Sequence, residues 1–275
     1  MNKKITRLTA AFGKHILIYG LAFISFFPML WMVLASLQQQ KDILNAGKGL
    51  FSFMPTLMNY SNVIYQYDFV RPMINSFIIA LLSTVFALVL SLPAAYAIAR
   101  YKLRKMSLII LVVRMIPGIS FLVPWFTIFA KMQLTDSYTA MILTHMLVAL
   151  PLIVWIMTPF FESIPMELEM AAWVDGSSKF RTFFGIVLPL CRAGILTASL
   201  LAFIFSWNNF MFALVLSGRK TITLPVAIFS FVSYAAVDWG GLMAASVLIT
   251  LPICIISIFL QKYIIGGLTA GAVKG

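Results

Sequence analysis

Long apolar runs that contain no acidic side chain are the feature that most limits how this chain can fold. One of them reads ILIYGLAFISFFPMLWMVLASL at residues 16–37, and five more of similar character follow it. A helix needs about 20 apolar residues to cross about 30 Å of hydrocarbon. Only helices and closed barrels satisfy their own backbone hydrogen bonds in lipid, so runs of this length predict transmembrane helices.

We therefore predict an all-α, polytopic membrane protein with a single transmembrane domain over residues 1–275. Composition agrees, because 62% of the residues are hydrophobic and 10% are charged, whereas a soluble domain has about 45–50% apolar and about 25% charged residues. The six predicted spans are 16–37, 73–99, 108–130, 138–158, 193–216 and 241–261.

The positive charges predict the orientation of these spans. The chain has 20 Lys and Arg residues, but they are scattered between apolar runs and form no basic stripe, which argues against nucleic acid as a partner. With the N-terminus inside, most of them fall on the cytoplasmic side, as the positive-inside rule requires. Both termini, the segment 163–190 and the tail 262–275 are then expected to be cytoplasmic, with lipid around the spans.

The chain lacks the motifs of an energy source or an active site. All eight acidic residues lie outside the predicted spans, whereas carriers driven by protons or sodium usually keep an ionisable or coordinating group in the membrane. There is no phosphate-binding loop and no catalytic motif. Cys191 and Cys254 lack metal-ligand spacing, and we expect no disulfide. We predict no catalytic residue, no cofactor-binding residue and no metal site, so that another polypeptide supplies the energy for any uphill transport.

The segment 163–190, SIPMELEMAAWVDGSSKFRTFFGIVLPL, is a long polar stretch between two apolar runs. Pro165 suits the start of a helix, and two acidic residues in the first turns favour the positive end of its dipole. Gly176 is a natural helix stop, and Ser177 or Ser178 can cap a second helix. We predict two short helices across the cytoplasmic surface.

The two predicted helices carry small and aromatic side chains next to charges. One would present Ala171, Ala172 and Trp173, and the other Phe180, Phe183 and Phe184. This combination suits a knob that enters a groove on a partner protein. A helix that rests on lipid headgroups has much the same composition, and residue types alone leave both interpretations open.

The pattern EMAAWVDGSSKFRTFFGIVLPL at 169–190 resembles the E-A-A-x-x-x-G-x(9)-I-x-L-P loop of permease subunits of ABC importers. Met170 departs from that pattern, since the first alanine of the family usually stands there. The stretch 207–228 and the tail GGLTAGAVKG at 266–275 resemble the carbohydrate branch, in particular the maltose-type second permease. The resemblance assigns ATPase coupling to Glu169, Ala171, Ala172, Asp175, Gly176, Phe180, Phe183 and Pro189.

This resemblance implies a type I permease of the bacterial plasma (inner) membrane that forms half of the pathway of an ATP-driven sugar importer. The sugar would be a mono-, di- or oligosaccharide. The implied partners are a second permease, two ATPase subunits that bind ATP and Mg, and an external solute-binding protein; this chain would bind no cofactor. The loop would dock into an ATPase cleft, and segments 38–71 and 217–240 would face outward toward the binding protein.

Three alternatives stay open at this point. A sugar-like solute, such as a polyol or glycerol phosphate, would suit the same family. A self-sufficient carrier or channel is disfavoured by the lack of acidic residues in the spans, and a membrane-embedded enzyme is disfavoured by the lack of a catalytic cluster.

Polar residues within the spans mark a candidate solute path. In the fifth span Ser199, Ser206 and Asn209 share one helical face, and Trp207 offers a ring of the kind on which sugars stack. Hydrogen bonding between helices is the alternative role for such residues, and also the expected role of His145. For Arg114 we expect a structural role near the headgroups. The candidate path residues are Asn75, Tyr96, Ser206, Trp207, Asn208 and Asn209.

Overall fold

A computed structural model describes residues 2–45, 47, 52–233 and 236–270, and its regular structure is helical. Within these residues the β-type pairing amounts to one isolated antiparallel bridge between Val232 and Val237. The all-α fold class is thereby confirmed. The last helix continues through residues 262–270 of the predicted tail, whereas residues 271–275 lie outside the described residues.

The described helices follow one another with short connections. Two 3-10 turns (Gly118–Phe121 and Ile228–Phe231) and one π-helical turn (Phe183–Val187) supplement the α-helices. The α-helices are α1 (Asn2–Ser36), α2 (Gln40–Ile43), α3 (Met58–Tyr65), α4 (Val70–Arg100), α5 (Arg104–Met115), α6 (Leu122–Lys131), α7 (Tyr138–Glu162), α8 (Met166–Val174), α9 (Lys179–Thr182), α10 (Leu188–Leu190), α11 (Arg192–Trp207), α12 (Met211–Leu216), α13 (Leu224–Ala227) and α14 (Trp239–Ala270).

Among the described residues, four helical stretches are long and apolar enough to cross a bilayer unaided, and the number rises to six if each of two bent pairs is one span. One bent pair joins Arg104–Met115 to Gly118–Lys131 at 87°, and the other joins Lys179–Leu190 to Arg192–Trp207 at 79°. The single stretches are Gly13–Ser36, Val70–Arg100, Tyr138–Glu162 and Trp239–Phe259.

The predicted third span, 108–130, is not one continuous helix. Helix α5 ends at Met115, and a 3-10 turn begins at Gly118. Pro117 has no N–H to donate and disfavours helical backbone in the residue before it. Ile116 accordingly adopts extended angles of φ −69° and ψ 124°. The proline therefore divides the span, which the apolar run alone did not predict.

The predicted fifth span, 193–216, is also divided. Helix α11 ends at Trp207, and α12 begins at Met211. The side-chain oxygen of Asn209 accepts a hydrogen bond from the N–H of Phe212 at 3.1 Å. Short amide side chains compete for backbone groups and favour helix ends over helix interiors. The asparagine pair therefore ends one helix and starts the next.

The chain forms two compact units, Met1–Phe69 with Ile228–Thr250 and Val70–Ala227 with Leu251–Gly275. In the first unit the side-chain amide of Asn59 donates to the carbonyl oxygens of Ser36 (2.8 Å) and Gln38 (2.7 Å). Gln40 donates to the carbonyl of Val237 at 2.7 Å. These bonds join residues that are distant in sequence. An amide side chain can bind two backbone oxygens at once, because its NH2 group has two donors.

In the second unit, α4, α7 and α11 pack against one another around a buried apolar cluster. Alanines stand at many of the contact positions, and small side chains let helix backbones approach closely in lipid. The alanines of this cluster are Ala87, Ala95, Ala99, Ala149, Ala198 and Ala202. The alanines therefore allow close contact between these helices.

Asp136 fixes the segment 217–224 in the second unit. Its carboxylate accepts hydrogen bonds from the N–H groups of Gly218 (2.9 Å), Lys220 (3.1 Å) and Thr221 (2.9 Å). A methyl group on Gly218 would lie 2.7 Å from Asp136 Cγ, so that position requires glycine. Burial raises the pKa of Asp136, but the hydrogen bonds from Lys220, Thr221 and Gly218 outweigh burial and hold the pKa below its ordinary value.

Replacing Asp136 by Asn should destabilise the protein by about 2 kcal/mol, since several bonds to a charged acceptor are weakened. Asn tolerates the left-handed backbone conformation of this residue, φ 54°. The decrease in stability therefore measures the effect of removing the negative charge. Thermal unfolding in detergent measures it. Because the folded state lowers this pKa, the stabilisation is complete above the ordinary carboxyl pKa of about 3.9 and is lost as the pH falls through the folded value.

Asp68→Asn is the matched control, because Asp68 is exposed and also has a positive φ, 46°. Its melting temperature should stay at that of the wild type. Equal melting temperatures for Asp136→Asn and the wild type at neutral pH would contradict the assigned role of Asp136.

Candidate coupling loop and solute path

The first helix of the polar segment, α8, ends as a Schellman motif. The N–H of Gly176 donates to the carbonyl of Trp173 (3.0 Å), and the N–H of Ser177 donates to that of Ala172 (2.9 Å). Gly176 has φ 82°, a conformation that glycine adopts without steric cost. The helix therefore stops at the predicted glycine, and Pro165 stands at its N-cap, one residue before the first helical residue.

The second helix begins at the predicted cap but is longer than expected. Ser178 Oγ accepts a hydrogen bond from the N–H of Arg181 at 3.2 Å. Helix α9 then runs without interruption through the π-helical turn into α10, so that helical backbone extends from Lys179 to Leu190. The segment thus contains one short helix and one of three turns, separated by the Gly176 turn.

Glu169 points into the protein and is completely buried. Arg100 donates to one carboxylate oxygen through Nε at 2.6 Å, and its Nη2 lies 2.5 Å from the same oxygen. Tyr96 donates its hydroxyl to the other oxygen. Arg100 also donates through Nη1 to the carbonyl of Ile164 at 3.1 Å. Removing one partner of such a buried pair costs about 3–5 kcal/mol, because an uncompensated charge remains.

Aromatic rings cover this ion pair on the side of the apolar core. The ring of Phe183 lies 4.9 Å from that of Tyr96 and 6.2 Å from that of Phe161. Phe183 and Ala172 are both buried. Of the eight residues assigned to coupling, Glu169, Ala172 and Phe183 therefore form an inner face of the loop. We call this face, with Tyr96 and Arg100, the inner joint.

The opposite face of the loop exposes apolar side chains. Val174 is 87% and Phe180 74% exposed, and the ring of Phe180 lies 4.5 Å from that of half-exposed Phe184. The remaining coupling candidates are also exposed, namely Ala171, Asp175, Gly176 and Pro189. Large apolar side chains gathered on a surface mark interaction sites. We call Met170, Val174, Phe180 and Phe184 the outer patch.

The sequence did not predict a role for Arg100. A basic residue at the end of an apolar span is typical of a headgroup contact, and the Glu169 that it binds lies 69 residues further along the chain. Tyr96 was predicted to line the solute path, but it belongs to the inner joint. The available signal in the sequence was the spacing of Tyr96 and Arg100. Residues four apart share a helix face, so both can contact the same side chain.

The structure places the candidate path residues in different surroundings. Asn75 is buried; it donates to the carbonyls of Lys220 (3.0 Å) and Ile222 (2.9 Å) and accepts from the hydroxyl of Tyr138 (2.5 Å). It therefore supports the same segment 217–224 that Asp136 holds. Among the six candidates, Asn208 has an exposed side chain.

Ser206 takes part in a buried polar contact between three helices. Its hydroxyl lies 2.7 Å from Nδ1 of His145 on α7 and accepts from the hydroxyl of Ser83 on α4 at 3.1 Å. The interhelical role expected for His145 is confirmed. Trp207 is buried and stacks on Phe203 with 5.7 Å between the ring centroids. Both residues are buried and contact other side chains of the subunit.

Arg114 contacts an aromatic side chain of another helix. The guanidinium of Arg114 lies 4.7 Å above the centre of the Trp155 ring, a cation–π contact between α5 and α7. This contact gives Arg114 a structural role. In the part of the chain that the structure describes, no group of three or more His, Cys, Asp or Glu residues could hold a metal ion.

Gly176→Ala should destabilise the loop by about 1 kcal/mol, because alanine in the left-handed region is strained. No atom lies within 4 Å of the position that its methyl group would take, so the cost is conformational. Amide hydrogen exchange of residues 166–182 would record faster opening. Gly185→Ala is the control, since Gly185 is helical and also has open space around it. Equal exchange rates in both variants would contradict this account.

Ser206→Ala should lower the free energy of unfolding by about 1–3 kcal/mol, because His145 loses a buried partner. The concentration of solute that half-saturates transport should not change, since Ser206 is buried. Thermal unfolding and uptake kinetics measure the two quantities. Ser199→Ala is the control, because its hydroxyl bonds only within α11, to the carbonyl of Ile195. A changed solute affinity in Ser206→Ala would restore this residue to the solute path.

Transport proteins with named substrates align with almost the whole sequence of this chain. The sulfoquinovosyl glycerol transport system permease protein of Agrobacterium fabrum is 36% identical over 253 residues, which cover 90% of this chain and 89% of the relative. The trehalose/maltose transport system permease protein of Thermococcus litoralis is 36% identical over 263 residues, which cover 93% and 94%. The trehalose transport system permease protein of Mycobacterium tuberculosis is 37% identical over 254 residues, which cover 90% and 92%.

A solved structure shares the fold. A bacterial ABC transporter involved in the import of the acidic polysaccharide alginate contains a chain that superposes with a TM-score of 0.80 at 20% identity, covering 94% of this chain and 97% of that chain. Residues 88–269 match the family described as binding-protein-dependent transport system inner membrane component. That match includes the Glu169 loop, and the relatives above extend over most of the remaining sequence. The chain therefore belongs to this family of transporter membrane subunits.

Proposed function

We propose that this chain is one of two membrane subunits of an ATP-driven importer and forms half of the pathway for a sugar. The observation that carries the proposal is the two-sided loop, in which a buried ion pair anchors one face and large apolar side chains are exposed on the other. A surface of this kind fits a protein partner. The relatives from Thermococcus litoralis and Mycobacterium tuberculosis carry names of trehalose or maltose transport, which favours a mono-, di- or oligosaccharide.

The proposed setting is the bacterial inner membrane, with both termini and the loop in the cytoplasm. The distribution of Lys and Arg supports this orientation. It brings the outer patch to the compartment that contains ATP. Segments 38–71 and 217–240 then face outward, where the proposed partner is a solute-binding protein.

The proposed energy source is a pair of ATPase subunits that bind the outer patch. ATP and Mg bound in those subunits supply the free energy, and this chain has no enzymatic role of its own. Val174 and Phe180 enter the ATPase groove, while Glu169 holds α8 in the orientation that presents Val174. A second permease completes the pathway. Asn208 is the path candidate with an exposed side chain, and it faces the solute in this proposal.

Phe180→Asp should reduce copurification of the ATPase subunit by about tenfold or more, because a charge replaces an anchor side chain at the centre of the contact. Affinity purification of the membrane complex followed by quantitative immunoblotting measures this. Tyr65→Asp is the matched control, since Tyr65 is 82% exposed and lies in the segment proposed to face outward. An ATPase that remains bound to Phe180→Asp, or that is lost equally from Tyr65→Asp, contradicts the docking assignment.

The substrate class has a separate test. A thermal-shift screen of the associated solute-binding protein against mono-, di- and oligosaccharides should give stabilisation by at least one sugar, because a bound ligand stabilises the folded state by mass action. Stabilisation by polyols or glycerol phosphate with no response to sugars would move the substrate outside the proposed class. Uptake by vesicles that contain this chain without an ATPase would contradict the importer itself.

A further inference from the structure

We infer that Arg100 and Tyr96 are positioning residues of the transport cycle, which transmit displacement of the loop through helix α4 to the segment 217–224 at its opposite end. This inference rests on the proposed function, because it assumes that an ATPase displaces the loop. Docking alone does not specify which contacts transmit a force from the outer patch to the membrane helices, or which segment then moves.

The geometry of the inner joint makes it a stiff attachment. The two carboxylate oxygens of Glu169 are held by two residues of α4 that lie four positions apart, so one side chain spans a full turn of that helix. Arg100 also binds the carbonyl of Ile164, just before α8 begins. Bonds to a charged carboxylate are shorter and about twice as strong as neutral ones. Helix α8 therefore cannot rotate or slide on α4 without breaking several bonds.

Other packing of α8 contributes little to this attachment. Glu169 and Ala172 are the buried residues of α8. Leu168, Met170 and Val174 are exposed on the same helix. A helix with so small a buried apolar face gains little from packing alone. The ion pair is thus the principal mechanical contact between α8 and the spans.

The other end of α4 holds a second segment by the same kind of contact. Asn75 lies 25 residues before Arg100, which corresponds to about 37 Å along a helix. Its amide donates to the carbonyls of Lys220 and Ile222, and the neighbouring Ser76 hydroxyl accepts from the N–H of Leu224 at 2.8 Å. One continuous helix therefore grips the loop at one end and the segment 217–224 at the other.

The experiment follows the far end of α4 while ATP acts on the loop. Arg219 is exposed within the segment 217–224, so Arg219→Cys provides a labelling site. The complete complex is reconstituted into lipid nanodiscs, which leave both membrane faces accessible, and the rate of reaction with a maleimide is measured before and after addition of Mg-ATP and vanadate. The chain without the added cysteine sets the background from Cys191 and Cys254.

In the otherwise native chain, Mg-ATP with vanadate should change the labelling rate by about fivefold or more, as an ordered segment takes up its second position. Arg100→Gln should abolish this change, and the response is expressed per bound ATPase, because loss of the ion pair also weakens docking of the loop. Arg192→Gln is the control, because Arg192 is basic and exposed at the start of α11, and it should respond like the native chain. A full response in Arg100→Gln, or no response in the native chain, would overturn the inference.

Tyr96→Phe keeps the test decisive if Arg100→Gln does not assemble. It removes one hydroxyl and leaves the ion pair and the ring packing in place, so the response should fall about two- to threefold without loss of assembly. An unchanged response in Tyr96→Phe would then count against the inference. Failure of the proposed function has a different signature, namely no ATPase bound to the native chain and no ATP hydrolysis.

Discussion

The buried carboxylate of Glu169 is the interaction on which the arrangement of the polar segment depends. A carboxylate removed from water is tolerated only when charge and hydrogen bonds compensate it, and here Arg100 and Tyr96 provide both. Satisfying Glu169 fixes the rotation of α8 about its own axis. That rotation decides which side chains of α8 face outward, so the exposure of Met170 and Val174 is a consequence of where the acid is buried.

A second constraint is that polar groups within lipid must find partners inside the protein. Ser206 contacts both Ser83 and Nδ1 of His145, and Asn75 donates to backbone carbonyls. Such side chains stabilise contacts between helices.

Local patterns in the sequence predicted the elements that depend on neighbouring residues. The apolar runs, the stop at Gly176 and the cap at Ser178 depend on residues a few positions apart, so the sequence contains the whole cause. The break at Pro117 has a local cause too, but length and hydrophobicity suggested an uninterrupted span. The bond between Arg100 and Glu169 could not be predicted in this way, because it requires the packing of helices that are far apart in sequence.

The same distinction explains why the sequence pattern could not place the candidate path residues as it placed the ends of the loop helices. Ser199 and Ser206 share helix α11, and Asn209 follows its end, but the face that a polar residue occupies does not say whether water, a solute or another helix covers it. In a soluble protein, a polar stripe usually meets solvent. In a membrane bundle the hydrocarbon reverses this expectation: the interior receives the polar side chains, so a polar stripe on an apolar helix marks a contact between helices as readily as a solute path.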